Sequence, residues 1–393
     1  MSLRAQPPVR SPLTLRALLA GLAAGLSGGD QAREAVGLRL AELLAPRALR
    51  LTDSGTSALG LALRLAARRR PGRPVLLPAW GCYDLATAAD AADVRVLLYD
   101  LDPVTLGPDW DALAGLLRQE PAAVVAAHLY GLPADMPRLA RLGEATGTIV
   151  ISDAAQGAGA ALDGRPLAAW GDLAVLSFGR GKGMTGGRGG ALVVHRDDLA
   201  DPVRELTLQR PRGGARELLA LAAQWVFTRP LLYGIPAGIP QLGLGETVYH
   251  PPHAADGISA VAAGALEVTL GYAEGEAALR RSNAAWLLDH LDRRSLRMMS
   301  PIPGSSPGWL RFPVLISGGS DAGAEVTDSR ILGIYRGYPL ALADLPGFAQ
   351  RVGNLAAPFS GARELARRLV TLPTHGAVGV AGLTRLVDWS RRL

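Results

Sequence analysis

Between residues 51 and 195 the chain alternates short runs that are predominantly apolar, without a polar residue at every second position, with longer segments whose apolar residues recur at helical spacing. A strand that is apolar throughout has to be buried on both faces, and that requires helices above and below it. The apolar runs fall at 74–78, 94–99, 122–127, 148–152, 173–178 and 190–195. The segments between them, at 56–69, 84–92, 110–118 and 135–145, predict helices. Such crossovers give a mostly parallel central sheet in a layered α/β fold, with ligands bound at the carboxyl ends of the strands.

Residues 12–46 predict one or two helices leading into this unit. Between 229 and 245, Pro230, Pro236 and Pro240 interrupt a Leu-, Ile- and Gly-rich text. That reads as an extended connector, or as an apolar surface that touches a partner subunit or a membrane. Helices at 259–270, 276–291 and 361–369 and a strand at 309–316 then predict a smaller C-terminal α+β domain. The expected division is 1–245 and 246–393.

Composition narrows the function classes. With 49% apolar and 19% charged residues the chain has enough material for a buried core and is not disordered. The net charge of +6 would not oppose an anionic substrate. The basic run Arg68–Arg70 follows a predicted helix and reads as its solvated end, and too few aromatics accompany the basic residues to suggest a nucleic-acid polymer as partner. Cys82 is the only cysteine, so no intrachain disulfide and no cysteine-rich metal site is expected, and the histidines have no metal-ligand spacing. Arg4, Arg10 and Arg16 precede an apolar stretch at 17–26 that imitates a signal peptide, but prolines crowd it and no uncharged stretch is long enough to span a membrane. A soluble cytoplasmic protein without membrane association is the expectation.

Forty of the 41 basic side chains are arginine; the single lysine is Lys182. Arginine stays protonated and cannot form an imine, whereas a deprotonated lysine amine attacks a carbonyl. Three segments surround this residue with related chemistry. Asp53-Ser54-Gly55-Thr56-Ser57 opens a helix, and its small residues serve either as an ordinary N-cap or as a phosphate cradle. Asp153, at the end of the run before Ala154-Ala155-Gln156, either caps the next helix or pairs with a protonated ring nitrogen. Ser177 stands five residues before Lys182, and Gly181 and Gly183 flank the lysine as flexible hinges for its stem. Together a phosphate cradle, a ring-nitrogen anion and an amine meet the needs of pyridoxal 5′-phosphate. The P-loop pattern, with its lysine directly after the glycine-rich cradle and followed by Ser or Thr, is not met, and no Gly-x-Gly-x-x-Gly follows the first good strand, so a dinucleotide fold is poorly supported.

These segments, with His128-Leu129-Tyr130-Gly131 and Gly189-Gly190, closely resemble the DegT/DnrJ/EryC1/StrS family of pyridoxal-phosphate-dependent aminotransferases. The resemblance implies the three-layer fold-type I architecture with a mostly parallel central sheet and a smaller C-terminal α+β domain. It implies that Lys182 joins the cofactor's carbonyl and Asp153 pairs with its ring nitrogen. Ser177 and the amides of Gly55 and Thr56 would bind phosphate, and Gln156 would lie beside the phenolic oxygen. Cys82 aligns where the family often places a ring-covering aromatic, with Trp80 and Tyr83 beside it. Two departures stand out: Arg188 replaces an acid in the family's Gly-Glu-Gly-Gly, and Ala255–Ile258 replaces a segment whose asparagine binds phosphate across a dimer.

The implied activity is transfer of an amino group from an amino acid, glutamate or glutamine, to a keto-sugar nucleotide or a related carbonyl acceptor. The cofactor would alternate with pyridoxamine phosphate, and the assembly would be a homodimer. Two alternatives stay open: another pyridoxal-phosphate reaction on a non-sugar substrate, and an idle scaffold or regulatory protein. His128 reads equally as a cofactor neighbour and as a satisfied structural histidine.

Overall fold

The computed structural model describes residues 5–237, 239, 248–317 and 327–393. The apolar runs form the centre of a seven-stranded sheet built from β1 (Ala48–Thr52), β2 (Val75–Pro78), β3 (Val96–Tyr99), β4 (Ala123–Ala127), β5 (Ile149–Asp153), β8 (Leu173–Ser177) and β9 (Gly190–Val194). The short strands β6 (Ala161–Leu162) and β7 (Arg165–Pro166) form a ribbon outside it. Spatial order in the large sheet is β1–β9–β8–β5–β4–β2–β3. β2, β3 and β9 are buried along their whole length, as uniformly apolar strands must be. The pairs β2–β3, β2–β4, β4–β5 and β5–β8 are parallel, whereas β9 runs antiparallel to both β8 and β1. This is the expected mostly parallel sheet, with one reversed strand that places the loop carrying Lys182 between the paired residues Ser177 and Gly190.

The helix Gly55–Arg69 buries Ala58, Leu59, Ala62, Leu63 and Ala66 against the sheet, and its Ser54 cap accepts from the Ser57 N–H at 3.0 Å. Arg68 and Arg69 lie in its last turn, where the helix dipole favours cations, and Arg69 pairs with Asp198. Arg70 donates to the carbonyls of Pro121 and Thr146, each at 3.1 Å. The leading region is two helices, Leu15–Ser27 and Asp30–Leu44, broken by Gly28 and Gly29 at φ 92° and 76°.

The C-terminal part carries a four-stranded antiparallel sheet of β10 (Leu296–Met298), β12 (Phe312–Ile316), β13 (Tyr335–Arg336) and β14 (Leu369–Leu372), in the order β10–β12–β14–β13. β11 (Ser305–Ser306) pairs back to β6. Helices Ala273–His290, Ser360–Arg368 and Gly379–Ser390 complete the expected α+β character. The segment at 229–245 contains a short helix, Gly234–Ala237, with Leu231, Ile235 and Ile239 exposed; Pro240 through Gly245, and the expected boundary at 245, lie outside the described residues. Among the described residues no helix is long and apolar enough to cross a membrane.

Two glycines make opposite predictions. A β-carbon on Gly190 would lie 2.4 Å from the Ser54 carbonyl oxygen and 2.6 Å from the Gly55 nitrogen, both backbone atoms that cannot swing away. One on Gly37, inside the helix Asp30–Leu44, would meet nothing within 4 Å. Gly190→Ala should therefore destabilise the protein by about 2 kcal/mol or more, while Gly37→Ala should stabilise it by up to about 1 kcal/mol through helix propensity. Chemical denaturation of the two variants checks both signs.

Candidate active site

The predicted residues converge. Gly55, Thr56, Cys82, Asp153, Gln156, Ser177 and Lys182 line one cleft, together with His128 and Asp84, at the carboxyl ends of the parallel strands. Gly55 and Thr56 enter it from the first turn of their helix, where backbone N–H groups have no carbonyl four residues back within the helix. Ser177 sits directly opposite: a β-carbon on Gly55 would lie 2.7 Å from the Ser177 Cβ and 3.0 Å from its Oγ. Glycine at 55 thus leaves a small polar pocket between a helix N-terminus and a hydroxyl.

Asp153 ends β5, and its Oδ1 accepts from the Ala155 N–H at 3.1 Å. Burial pushes its carboxyl above the ordinary value, while the Ala155 N–H and the positive charge of Lys182 pull the other way. Lys182 itself is half-buried, and its side chain makes no hydrogen bond or ion pair among the described residues. Its loop is not hinged by free glycines as the sequence suggested. Gly181 adopts φ 76°, and a β-carbon on Gly183 would lie 2.7 Å from the Ala158 Cβ. The Thr185 hydroxyl lies 3.0 Å from the Phe178 carbonyl and 3.1 Å from that of Gly179, while accepting from the Gly187 N–H at 2.9 Å. Thr269 clamps Thr185 through both backbone groups. The glycines serve close packing and a left-handed turn, so the lysine stem alone supplies the freedom. Ser11, near the N-terminus, accepts from the Gly181 N–H at 3.0 Å and ties that segment to the loop.

Gln156 is held at both ends of its amide: Oε1 accepts from the Tyr130 N–H at 2.9 Å and Nε2 donates to the Tyr338 hydroxyl at 2.8 Å. His128 is also fixed. Its Nδ1 accepts from the Ala134 N–H at 3.1 Å, so Nε2 carries the proton and donates to Ser152 Oγ at 2.9 Å, which in turn donates to the Leu167 carbonyl at 2.8 Å. Burial pushes its ring down to about 3, which makes it a neutral structural histidine at the edge of the cleft.

Cys82 lines the cleft, and burial with the neighbouring Asp84 carboxylate pushes its thiol up to about 12. A thiol held there is a small apolar surface, not a nucleophile. Tyr83 does not line the cleft: its hydroxyl accepts from the Leu340 N–H at 2.9 Å. Trp80 is wholly buried and donates to the Tyr338 carbonyl at 2.8 Å. Sequence reasoning missed Asp84 and Tyr338. Asp84 directly follows two residues already singled out, whereas Tyr338 comes from the C-terminal part, for which no sequence spacing gave a signal.

Both departures meet at Asp53. Arg188 Nη2 lies 3.6 Å from Asp53 Oδ2, and Asp256 exchanges backbone contacts with Asp53, which donates to the Asp256 carbonyl at 2.8 Å. The Asp256 N–H donates in return to Asp53 Oδ1 at 3.3 Å. A base at 188 complements Asp53, where an acid would repel it. Among the described residues no group of three or more histidine, cysteine or acidic side chains could hold a metal ion.

The sheet order, with its one reversed strand β9, gives a three-layer α/β fold with a mostly parallel central sheet. Residues 38–217 match the model of the DegT/DnrJ/EryC1/StrS aminotransferase family. GDP-perosamine synthase of Caulobacter vibrioides is 34% identical over 154 residues, 39% of this chain and 41% of that protein. 3-Amino-5-hydroxybenzoate synthase of Amycolatopsis mediterranei is 34% identical over 166 residues, 42% of each. The chain thus aligns with about two fifths of the length of the curated relatives it matches. The crystal structure of the aminotransferase TlmJ from Streptoalloteichus hindustanus superposes with a TM-score of 0.76 over 99% of this chain and 98% of that one, at 24% identity. This likeness extends the shared fold beyond the matched family region.

The buried histidines give a pH prediction. His128 falls to about 3 and His375, whose Nε2 donates to the Pro7 carbonyl at 2.9 Å, to about 4, both mainly through burial. The unfolded chain takes up protons that the folded chain refuses, so their contribution is complete above about 6.5 and declines as pH falls. Each ring should remove stability by up to about 1.4 kcal/mol per pH unit across that window. Denaturation midpoints measured from pH 7 to 4 should fall less steeply in His128→Asn than in the wild type.

Proposed function

We propose that the protein is a pyridoxal 5′-phosphate-dependent aminotransferase that moves an amino group from an amino acid, glutamate or glutamine, to a carbonyl acceptor, with a keto-sugar nucleotide as the preferred class. The observation that carries this reading is that the chain's only lysine lines one cleft with Asp153, Ser177 and the first turn at Gly55–Thr56. Two similar proteins are named for making amino compounds, GDP-perosamine and 3-amino-5-hydroxybenzoate, which supports amination as the reaction.

The pocket fits the cofactor. Its glycine-lined space between the helix N-terminus and Ser177 is one that a β-carbon on Gly55 would fill, and N–H groups with a hydroxyl suit a phosphate. Pyridoxal phosphate, when bound, supplies a carbonyl that combines with amines and a ring that withdraws electrons from the adjacent carbon. Asp153 provides the fixed anion that keeps a facing ring nitrogen protonated. The Lys182 amine is the base that removes the proton from the donor's Cα and later returns one to the acceptor carbon. Gln156, clamped between Tyr130 and Tyr338, orients a hydrogen bond toward the cleft, and Cys82 with Leu59 and Leu85 limits water around the reacting atoms. His128 takes no part in proton transfer because both its nitrogens are committed. A homodimer is the proposed assembly, with the exposed Leu231, Ile235 and Ile239 available to an interface.

The test is the visible spectrum of cofactor-loaded protein before and after L-glutamate. Wild type should lose its visible band and release 2-oxoglutarate. Lys182→Ala should lack the wild-type band and carry out the donor half-reaction at least about 1,000-fold more slowly. A wild type that shows no visible band when supplied with the cofactor would overturn the assignment of Lys182, and one whose band ignores every amino acid would overturn transamination.

A further inference from the structure

The first helix, Leu15–Ser27, turns its small residues inward and its leucines outward. Ala17, Gly21 and Ala24 are buried against the helix Ala260–Leu270, so closely that a β-carbon on Gly264 would lie 2.5 Å from the Ala20 carbonyl oxygen. Leu15, Leu19, Leu22 and Leu26 recur every three or four residues and are between 42% and 78% exposed. Beside this helix lies Ala215–Phe227, joined to it through a cluster of Leu13, Ala17, Leu221 and Ala265 on which Leu18 and Trp225 pack. A helix that is apolar around its whole circumference is ordinarily covered on every side. This one buries only Leu221 fully, and Leu219 and Phe227 stand exposed. Two neighbouring helices thus leave apolar outer faces open, which is the mark of an interaction surface.

The charge around these faces is of one sign. Residues 1–29 contain no acid, and residues 206–239 contain Arg210, Arg212, Arg216 and Arg229 against one acid, Glu217. The Glu217 carboxylate accepts from the Ser259 hydroxyl, and Asp30, just past the row of leucines, pairs with Arg33 and Arg210. Arg16, Arg212, Arg216 and Arg229 are exposed and form no ion pair among the described residues. Arg229 stacks over the Trp225 ring at 4.2 Å, which leaves its charge in place.

Pairing this face with a second copy of itself would bring two basic surfaces together, with no free carboxylate on the two helices to meet the arginines. An anionic lipid surface supplies the opposite charge, and its headgroup region admits leucine and aromatic side chains to a depth of about 5–10 Å. We propose that the protein docks on an anionic membrane surface through the outer faces of Leu15–Ser27 and Ala215–Phe227. Helices that lie flat need neither the length nor the uncharged run of a spanning one, so a chain too interrupted to cross a bilayer can still rest on it. Docking here does not depend on the aminotransferase reading, because none of these side chains lines the cleft of Lys182.

The test is co-sedimentation of the full chain with vesicles of phosphatidylcholine alone and of phosphatidylcholine with one third phosphatidylglycerol, alongside sedimentation velocity without lipid. Wild type should bind the anionic vesicles at least about 10-fold more tightly than the neutral ones. It should lose most of that preference between about 0.1 and 0.5 M salt. Leu19→Glu combined with Leu22→Glu should weaken anionic binding at least about 10-fold. Val380→Glu, at an exposed apolar side chain of the C-terminal helix, should stay within about twofold of wild type. Arg212→Gln combined with Arg216→Gln keeps every leucine in place and should weaken anionic binding about 10- to 30-fold, with neutral binding unchanged. All variants should keep the wild-type sedimentation coefficient. A wild type that binds neither vesicle, or leucine or arginine variants that bind as wild type does, would overturn the proposal. Leucine variants that split an oligomer would overturn it as well, and would give the face to a second copy of the chain.

Discussion

The architecture of the cleft depends on one close approach. The Ser54 carbonyl oxygen occupies the space where residue 190 would carry a side chain, and Gly189 donates to the Asp53 carbonyl at 2.9 Å. These contacts join the entry of the helix Gly55–Arg69 to the start of β9, which pairs with β8 through Gly190 and Ser177. The helix N-terminus, the Ser177 hydroxyl and the loop that presents Lys182 are therefore set by the same few backbone atoms. A glycine pair at 189–190 is what permits this, since Gly189 at φ 111° also needs a backbone that other residues rarely adopt.

Much of this was legible in the sequence, for specific reasons. Strands β2, β3, β4, β5 and β8 lie within uniformly apolar runs, and burial on both faces leaves few other arrangements for them. The lone lysine drew attention to its loop because its chemistry differs from that of forty arginines. The reversal of β9 was not legible, since strand direction is set by pairing geometry and not by residue type. The helix Ala215–Phe227 was missed because apolar residues occur around its whole circumference, so no single stripe marks it; only Leu221 is fully buried. Tyr338 was missed because residues from two separate parts of the chain meet at the cleft. Tyr83 was placed in the site by adjacency to Cys82, but a one-residue step turns its side chain toward Leu340 instead.

The two departures from the family pattern are coherent once their neighbours are seen. Asp53 gathers Arg188, the Asp256 N–H and, at 3.8 Å, His253 Nδ1 around one carboxylate. Ile258, in the second departing segment, packs against the α-carbon side of Gly189. Segments distant in sequence are thus coupled within a single subunit, close to the turn that begins the phosphate-sized pocket. The change of sign at position 188 is a local charge exchange around Asp53, and it leaves the lysine, aspartate and serine of the cleft in place.

Gln156 connects two parts of the molecule through a single amide. One end is fixed by the Tyr130 backbone beside the large sheet and the other by the Tyr338 hydroxyl from the C-terminal part. An amide has one donor end and one acceptor end, so this bridge has a polarity and cannot be satisfied after a half-turn of the side chain. Any rotation of the C-terminal part that withdraws Tyr338 frees the donor end, and any ligand that takes this donor competes with the same hydroxyl. Domain position and ligand occupancy are thereby linked reciprocally through one proton donor, and the strength of that linkage is bounded by the worth of one hydrogen bond.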